Sequence, residues 1–207
     1  MKKLLILLMG LLPLYAWAQD NTWEKPEEEE DEKAETVLKV NPDAKYLKGA
    51  VTEVDGNVIF TTTIEAPGKL AAQVYDIVKK YMLKMTHEKN QIASQIAKED
   101  SVNHVIAGTY DEWLVFKSNS IMLDRTKLQY VLLANCYDGK ANISISRIRY
   151  IYGEGRNQQR YKAEEWISDK HAVNKKNTRL LPLSGKFRRK TIDRKDFLFN
   201  KFETLLK

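Results

Sequence analysis

The chain carries LQYVLLANCY at residues 128–137, then Asp138-Gly139, then KANISISRIRYIY at residues 140–152. Both long runs are rich in β-branched and aromatic residues, and an Asp-Gly pair favours a two-residue type I′ turn. We therefore predict a β-hairpin with strands over residues 128–137 and 140–152. The apolar alternation of the second strand slips between Ile145 and Ile148, which predicts a β-bulge near Ser146-Arg147.

The flanking sequence predicts further strands and two helices around this hairpin. A tight turn at Asp55-Gly56-Asn57 joins two strand-like runs, and residues 91–116 form a second hairpin pattern. Apolar residues recur every three or four positions from Leu70 to Met85, which predicts a helix. A last helix is predicted to begin with Asp193 as its N-cap. The element order indicates an α+β fold: a curved, mainly antiparallel sheet backed by helices, with a C-terminal helical extension.

The first 18 residues have the composition of a signal peptide. Lys2 and Lys3 precede an apolar run over residues 4–14, and Ala16 and Ala18 supply the small residues that signal peptidase requires. The run is shorter than the about 20 residues of a permanent membrane-spanning helix. We therefore expect cleavage before Gln19 and export through the inner membrane to the periplasm or the outer membrane. An uncleaved N-terminal anchor is the alternative.

Residues 19–40 are polar and include the acidic run EEEEDE at residues 27–32. Such a segment has too few apolar residues to offset its ordering entropy, so we predict an acidic, disordered tether. The whole chain has a net charge of +6, and the tether carries 9 acidic and 3 basic residues. Since the signal peptide carries +2, residues 41–207 have a net charge of +10. We divide these residues into an α+β domain over 41–152 and an extension over 153–207 packed on it.

Residues suited to catalysis form no recognisable pattern. Cys136 lies late in a predicted strand, where an unpaired Cys usually acts as a small buried hydrophobe. We interpret Glu164-Glu165 with Asp169 as a solvated surface, and the chain has no Gly-rich phosphate loop and no metal-binding His/Cys spacing. The sequence therefore predicts a protein that is not an enzyme and that uses no cofactor or metal.

The densest basic cluster lies at the predicted start of the last helix. In an exported protein such a cluster could bind lipid phosphates, glycan phosphates or an acidic protein surface, and we expect no nucleic acid as partner. The alternative is a solvated helix start with Asp193 and Asp196 as local partners. The candidate anion-binding residues are Lys186, Arg188, Arg189, Lys190, Arg194 and Lys195.

Several sequence stretches resemble an uncharacterised family of secreted proteins from Gram-negative bacteria. They are VIF at residues 58–60, WLVF at 113–116, CYDGK at 136–140, AEEWISDK at 163–170 and GKFRRKTID at 185–193. The family is described as a domain of unknown function with a TBP-like fold. The resemblance implies a curved antiparallel sheet backed by helices, and it implies no catalytic residues.

These observations favour a non-enzymatic interaction or binding protein of the bacterial envelope, with a basic folded domain on an acidic tether. The alternative is a carrier of a small ligand or lipid that uses the concave face of the sheet as its pocket. A hydrolase is the third choice. We expect no transmembrane span in the mature chain.

Overall fold

A computed structural model describes residues 41–118, 123–153 and 155–207. The predicted signal peptide and acidic tether lie outside the described residues. None of the described helices is both long and apolar enough to cross a membrane.

The centre of the fold is an open antiparallel sheet of six strands. Its order is β3-β7-β6-β5-β4, and β8 pairs with the second half of β7, beyond β3. A separate two-stranded hairpin precedes β3. The strands are β1 Glu53–Val54, β2 Asn57–Val58, β3 Phe60–Glu65, β4 Gln95–Asp100, β5 Val105–Ser118, β6 Leu123–Tyr137, β7 Lys140–Tyr152 and β8 Gln159–Lys162.

Four α-helices accompany the sheet. They are α1 Ala71–Met85, α2 Ala163–Trp166, α3 Asp169–Ala172 and α4 Pro182–Leu206, with short 3₁₀ turns at Ala44–Tyr46 and Gly155–Asn157. Apolar residues of α1, α2 and α4 join those of the sheet in one hydrophobic cluster. The C-terminal extension therefore supplies part of the core, through Phe187, Ile192, Leu198 and Phe202.

The central hairpin and its bulge are confirmed. Asp138-Gly139 joins β6 to β7, with Tyr137 paired to Lys140. Gln129 pairs with Arg149 and Val131 pairs with Ser146, so one residue of β6 lies opposite two residues of β7. The extra residue is Arg147, whose φ of 55° is in the left-handed region.

The predicted start of the last helix is wrong. The helix α4 begins at Pro182, about three turns before Asp193, because proline is favoured in the first helical turn. Asp193 accepts hydrogen bonds from Lys45 and Tyr46 instead of capping the helix. The upstream periodicity is hidden in the sequence because Arg188 occupies one of the inward-facing positions and is fully buried.

Candidate binding face of the sheet

The two faces of the sheet differ in what covers them. Along β5 and β6 every second residue is buried against the helices, and the residues between them are only half-buried. We call the second set, with its paired neighbours on β7 and β8, the open face. Its members are Val105, Ala107, Thr109, Asp111, Trp113, Val115, Arg125, Lys127, Gln129, Val131, Leu133, Asn135, Asn142, Ser144, Ser146, Arg149, Ile151, Arg160 and Lys162, together with the bulge residue Arg147.

Cross-strand pairing collects six cations on this face. Arg149 lies between Gln129 and Lys162, and in the next row Ile151 lies between Lys127 and Arg160. Directly paired side chains project from the same side of a sheet about 5 Å apart. Residues far apart in sequence therefore form one basic surface, which consists of Arg125, Lys127, Arg147, Arg149, Arg160 and Lys162.

The open face also has an aromatic element. The guanidinium of Arg125 lies 3.7 Å from the ring centroid of Trp113, and the ammonium of Lys127 lies 5.7 Å from it. A cation over an indole ring is held by the negative charge of the ring face. The stack holds Trp113 against Arg125, whose positive charge has no acidic partner among the described residues.

Three arginines of the open face have no neutralising partner. Among the described residues, no hydrogen bond or ion pair is formed by the side chains of Arg147, Arg149 and Arg160. Lys162 has only a long contact of 3.9 Å with Glu165, an exposed residue. The guanidinium groups of these arginines are therefore available to an external anion.

A pocket lies beside the bulge. It has a volume of about 360 Å³ and is lined by Asp111, Gln129, Val131, Arg147 and Arg149, among others. The amide nitrogen Nε2 of Gln129 donates to Oδ2 of Asp111 at 2.9 Å. The other carboxylate oxygen, Oδ1, is buried without a partner among the described residues. The pocket thus offers two guanidinium groups, from Arg147 and Arg149, beside a buried carboxylate oxygen.

The basic cluster predicted from the sequence is not one surface. Arg188 is fully buried: it donates to the backbone carbonyls of Tyr46, Leu47 and Ile167 at 2.6–2.7 Å and to Asp169 at 2.7 Å. It therefore joins the segment before β1 to α4. Its inclusion in an anion-binding surface was wrong, since all its donors point into the protein.

Arg194 is also buried and was assigned wrongly. Its Nε and Nη2 donate to the two carboxylate oxygens of Glu112 on β5, each at 2.7 Å. Burial works against the charged form of Arg194, but the carboxylate of Glu112 outweighs it and holds the pKa above its usual value. This pair links α4 to the centre of the sheet.

The other members of the cluster lie on different sides of α4. Lys186 donates to Asp124 at 2.7 Å and to the Tyr152 hydroxyl at 2.9 Å. Arg189 pairs with Asp43 at 2.7 Å, Lys195 pairs with Asp196, and Lys190 is half-buried on the same helix. The alternative interpretation expected Asp193 and Asp196 to be the acidic partners of this cluster. Asp196 does pair with Lys195, whereas Asp193 pairs with Lys45, which lies outside the cluster.

Two of the three acidic residues interpreted from the sequence as a solvated surface, Glu164 and Asp169, instead accept hydrogen bonds within the fold. Glu164 accepts the backbone N–H of Val58 at 2.9 Å, and Asp169 accepts the backbone N–H of Gly49 as well as Arg188. The described residues contain no group of three or more His, Cys, Asp or Glu side chains arranged to hold a metal ion. Cys136 is buried as predicted, and burial raises its pKa to about 12.

The open face is not apparent from the sequence because its cations are not close together along the chain. The residues of the open face come from β6, β7 and β8, and strand pairing brings them together. A usable signal was present in Arg147 and Arg149, which alternate with Ile148 and Tyr150 on a strand whose other face had to be buried.

The fold and this face define an α+β domain with one face of its antiparallel sheet left open. The family model described as a domain of unknown function (DUF4468) with TBP-like fold matches residues 60–151. A crystal structure of a DUF4468 family protein from Bacteroides ovatus is 40% identical, with a TM-score of 0.73, and the match covers 79% of this chain and 94% of that chain. The chain therefore belongs to this family.

A second solved structure shares the fold alone. It is a TBP-like protein from Parabacteroides distasonis, 17% identical, with a TM-score of 0.58 and a match that covers 76% of this chain and 97% of that chain. No curated protein matches the chain. The TBP-like α+β fold inferred from the sequence is confirmed.

Proposed function

We propose that this protein is a non-enzymatic binding module of the bacterial envelope whose open face holds an anionic partner. The observation that supports this function is the group Arg147, Arg149 and Arg160, which has no acidic partner among the described residues. Most cations of the α4 cluster, by contrast, have internal partners. The predicted signal peptide supports the envelope location.

The chemistry of the open face indicates the class of ligand. A guanidinium group offers a planar fork of donors that fits phosphate and carboxylate, and its weak hydration lowers the cost of binding. Trp113, Val131 and Ile151 lie beside the cations and are half-buried, so they can contact an apolar or ring-shaped portion. We therefore expect a partner that carries phosphate or carboxylate groups next to an apolar part.

A second candidate function is the carrying of a small ligand. The pocket beside the bulge, at about 360 Å³, lies within the range of about 300–1,000 Å³ that is usual for ligand sites. Its two arginines, Arg147 and Arg149, would hold an acid group of the ligand. This function differs from the first because a soluble small molecule would suffice.

The test compares the chain from Gln19 onward with two triple variants of equal charge change. The open-face variant combines Arg147→Ser, Arg149→Ser and Arg160→Ser. The control combines Lys170→Ser, Lys175→Ser and Lys176→Ser, three exposed lysines outside the sheet. The probes are vesicles with and without phosphatidylglycerol, and inorganic pyrophosphate in solution.

We expect the wild-type chain and the control to bind phosphatidylglycerol vesicles with an affinity that falls as salt is raised through about 0.1 M. The open-face variant should bind at least about tenfold more weakly, the loss of roughly 1.4 kcal/mol or more. Equal losses in both variants would contradict the proposal, since net charge alone would then explain binding. Tight binding of pyrophosphate with no vesicle binding would favour the carrier.

A further inference from the structure

The strand β3 lies at an edge of the sheet, and half of its backbone groups point outward. Lys140 closes the two-residue hairpin with Tyr137, so the next residues of β7 alternate between facing β6 and facing β3. Ile64 pairs with Ala141 and Thr62 pairs with Ile143, which places the inward backbone groups at Phe60, Thr62 and Ile64. The N–H of Ala66 donates to the carbonyl oxygen of Gly139, so Ala66 also faces inward, as the alternation along the strand requires. The outward groups therefore belong to Thr61, Thr63 and Glu65.

These outward groups make no hydrogen bond to any described residue. Natural proteins protect such edges with bulges, lysine, proline or a covering element. The opposite edge strand, β4, has an irregular register between Ile96 and Lys98 and carries several charges. The sequence of β3 is FTTTIE, with a regular register and a single charge. Among the described residues, no bulge, lysine or proline of β3 protects its edge against pairing.

A groove runs between this edge and α4. It has a volume of about 490 Å³ and is lined by β3 from Thr62 to Glu65 and by residues of the last turns of α4, including Phe199, Asn200 and Glu203. A groove between an edge strand and a helix is where several peptide-binding domains add an extended peptide to their sheet. In that mode the backbone of the edge strand supplies hydrogen bonds and the helix contacts every second side chain.

The charges of the groove indicate the partner. Glu65, Asp196 and Glu203 line it. Asp196 already pairs with Lys45 and Lys195, and Glu203 pairs with Lys207, so Glu65 is the lining carboxylate that has no ion-pair partner among the described residues. This uncommitted charge at the edge favours a partner with lysine or arginine, and it disfavours both the acidic run at residues 27–32 and a second copy, whose own edge would bring another Glu65.

We propose that β3 and α4 form a docking groove for an extended, lysine- or arginine-bearing segment of a partner protein, which adds to the sheet as a further strand. The segment pairs its backbone with Thr61, Thr63 and Glu65. Every second side chain of the segment lies against Phe199 and Asn200 of α4, and a cation on the other side of the segment meets Glu65, which projects from the opposite face of β3. This groove is separate from the residues of the open face, so the two proposals stand or fall independently.

The probe is a capped heptapeptide, Thr-Val-Lys-Val-Lys-Val-Thr, and its control is the same peptide with glutamate in place of lysine. The readout is amide hydrogen exchange of the chain from Gln19 onward, measured residue by residue by NMR. With the lysine peptide, exchange at Thr63 and Glu65 should slow at least about tenfold, since each amide gains a partner. Exchange at Thr62 and Ile64 should be slow with and without peptide, because these amides already pair with β7.

A matched pair of variants separates the backbone contact from the side chain. Thr63→Val removes the hydroxyl and its hydrogen bond to Asn142 but keeps the outward N–H. Thr63→Pro removes both, and proline is tolerated at a position whose N–H faces away from the sheet. We expect peptide affinity to survive in Thr63→Val and to fall at least about tenfold in Thr63→Pro. If Thr63→Pro does not fold, Glu65→Lys tests the same groove through charge, with an equal loss expected.

Three results would overturn the proposal. The first is unchanged exchange at Thr63 and Glu65 at saturating lysine peptide. The second is equal binding of the glutamate peptide. The third is exchange at these amides that is slow without peptide and becomes slower as the protein concentration rises. That result would identify a second copy as the occupant of the edge.

Discussion

Arg194 of α4 and Glu112 of β5 form a bidentate ion pair in the interior of the protein, with both nitrogen–oxygen distances at 2.7 Å. Both side chains are almost fully withdrawn from solvent. The amide of Gln91 adds a hydrogen bond of 2.6 Å to the same carboxylate. The pair therefore ties α4 to β5 and explains why an arginine in a basic stretch of sequence is not available to a ligand.

Breaking this pair should be strongly destabilising. Arg194→Met leaves the buried carboxylate of Glu112 without its charged partner, and we expect a loss of about 3–5 kcal/mol in the free energy of unfolding. Urea denaturation monitored by circular dichroism measures this loss. The matched control is Arg149→Met on the open face, which should change stability by less than about 0.5 kcal/mol.

Replacing both members should recover most of the stability. A double variant, Glu112→Leu with Arg194→Met, substitutes an apolar contact for the ion pair, an exchange that is often neutral in protein interiors. An unfolding midpoint of Arg194→Met equal to that of the wild type would contradict the structural role of the pair.

Cys136 should be inert in the folded protein. The residue is 2% exposed and burial raises its pKa to about 12, so a reactive thiolate is scarce at neutral pH. We expect a polar thiol reagent to label the protein only when urea unfolds it. Cys136→Ala should lower the free energy of unfolding by about 1–2 kcal/mol, because it leaves a small cavity. Rapid labelling of the folded protein without denaturant would show that the thiol is accessible.

Acid should weaken the attachment of the segment before β1. Burial works to raise the pKa of Asp43, but the backbone N–H of Leu180 and the guanidinium of Arg189 outweigh it and hold this pKa below the usual 3.8. A carboxyl group with a lowered pKa stabilises the fold above its unfolded-state pKa, and this contribution is lost as pH falls through the folded-state value.

Asp43→Asn should therefore cost about 1–2 kcal/mol at pH 7 and progressively less as the pH falls through the folded-state pKa of Asp43. Urea unfolding at a series of pH values measures the difference. Asp55→Asn, in the exposed turn between β1 and β2, is the control for loss of a surface carboxylate. A constant difference between Asp43→Asn and wild type across this pH range would contradict the linkage.

The secretion prediction is tested by the N-terminus of the protein from its native envelope. Ala16 and Ala18 fit the small-residue requirement of signal peptidase, so intact-mass spectrometry should find a chain that begins at Gln19. Recovery of a chain that still begins at Met1 would remove the support for an envelope location.

The sequence predicted the fold well where local chemistry decides it. Asp138-Gly139 defines the central hairpin, and the slip in apolar parity located the bulge at Arg147. It failed at the start of α4, because Arg188 fills an inward position that periodicity assigns to an apolar residue. Whether an arginine is buried depends on carbonyl and carboxylate partners such as Leu47 and Glu112, which are more than 80 residues away in the chain.

The candidate site could not be predicted in the same way. A density of cations along the chain singled out residues 186–195, where a helix distributes its side chains around its axis and most of them meet internal partners. The cations of the open face are scattered in sequence, and only the registers of β6, β7 and β8 bring them together. The strand registers must therefore be known before such a surface on a sheet can be predicted.

The measurement that tests the central claim most directly is an NMR titration of the arginine side-chain Nε–Hε signals with inorganic pyrophosphate. The account predicts that the signals of Arg147, Arg149 and Arg160 shift together and saturate, with a midpoint that rises with salt. The signals of Arg188 and Arg194 should stay fixed, because their donors are committed inside the protein. Shifts at Arg188 or Arg194, with no change at the three open-face arginines, would contradict the account.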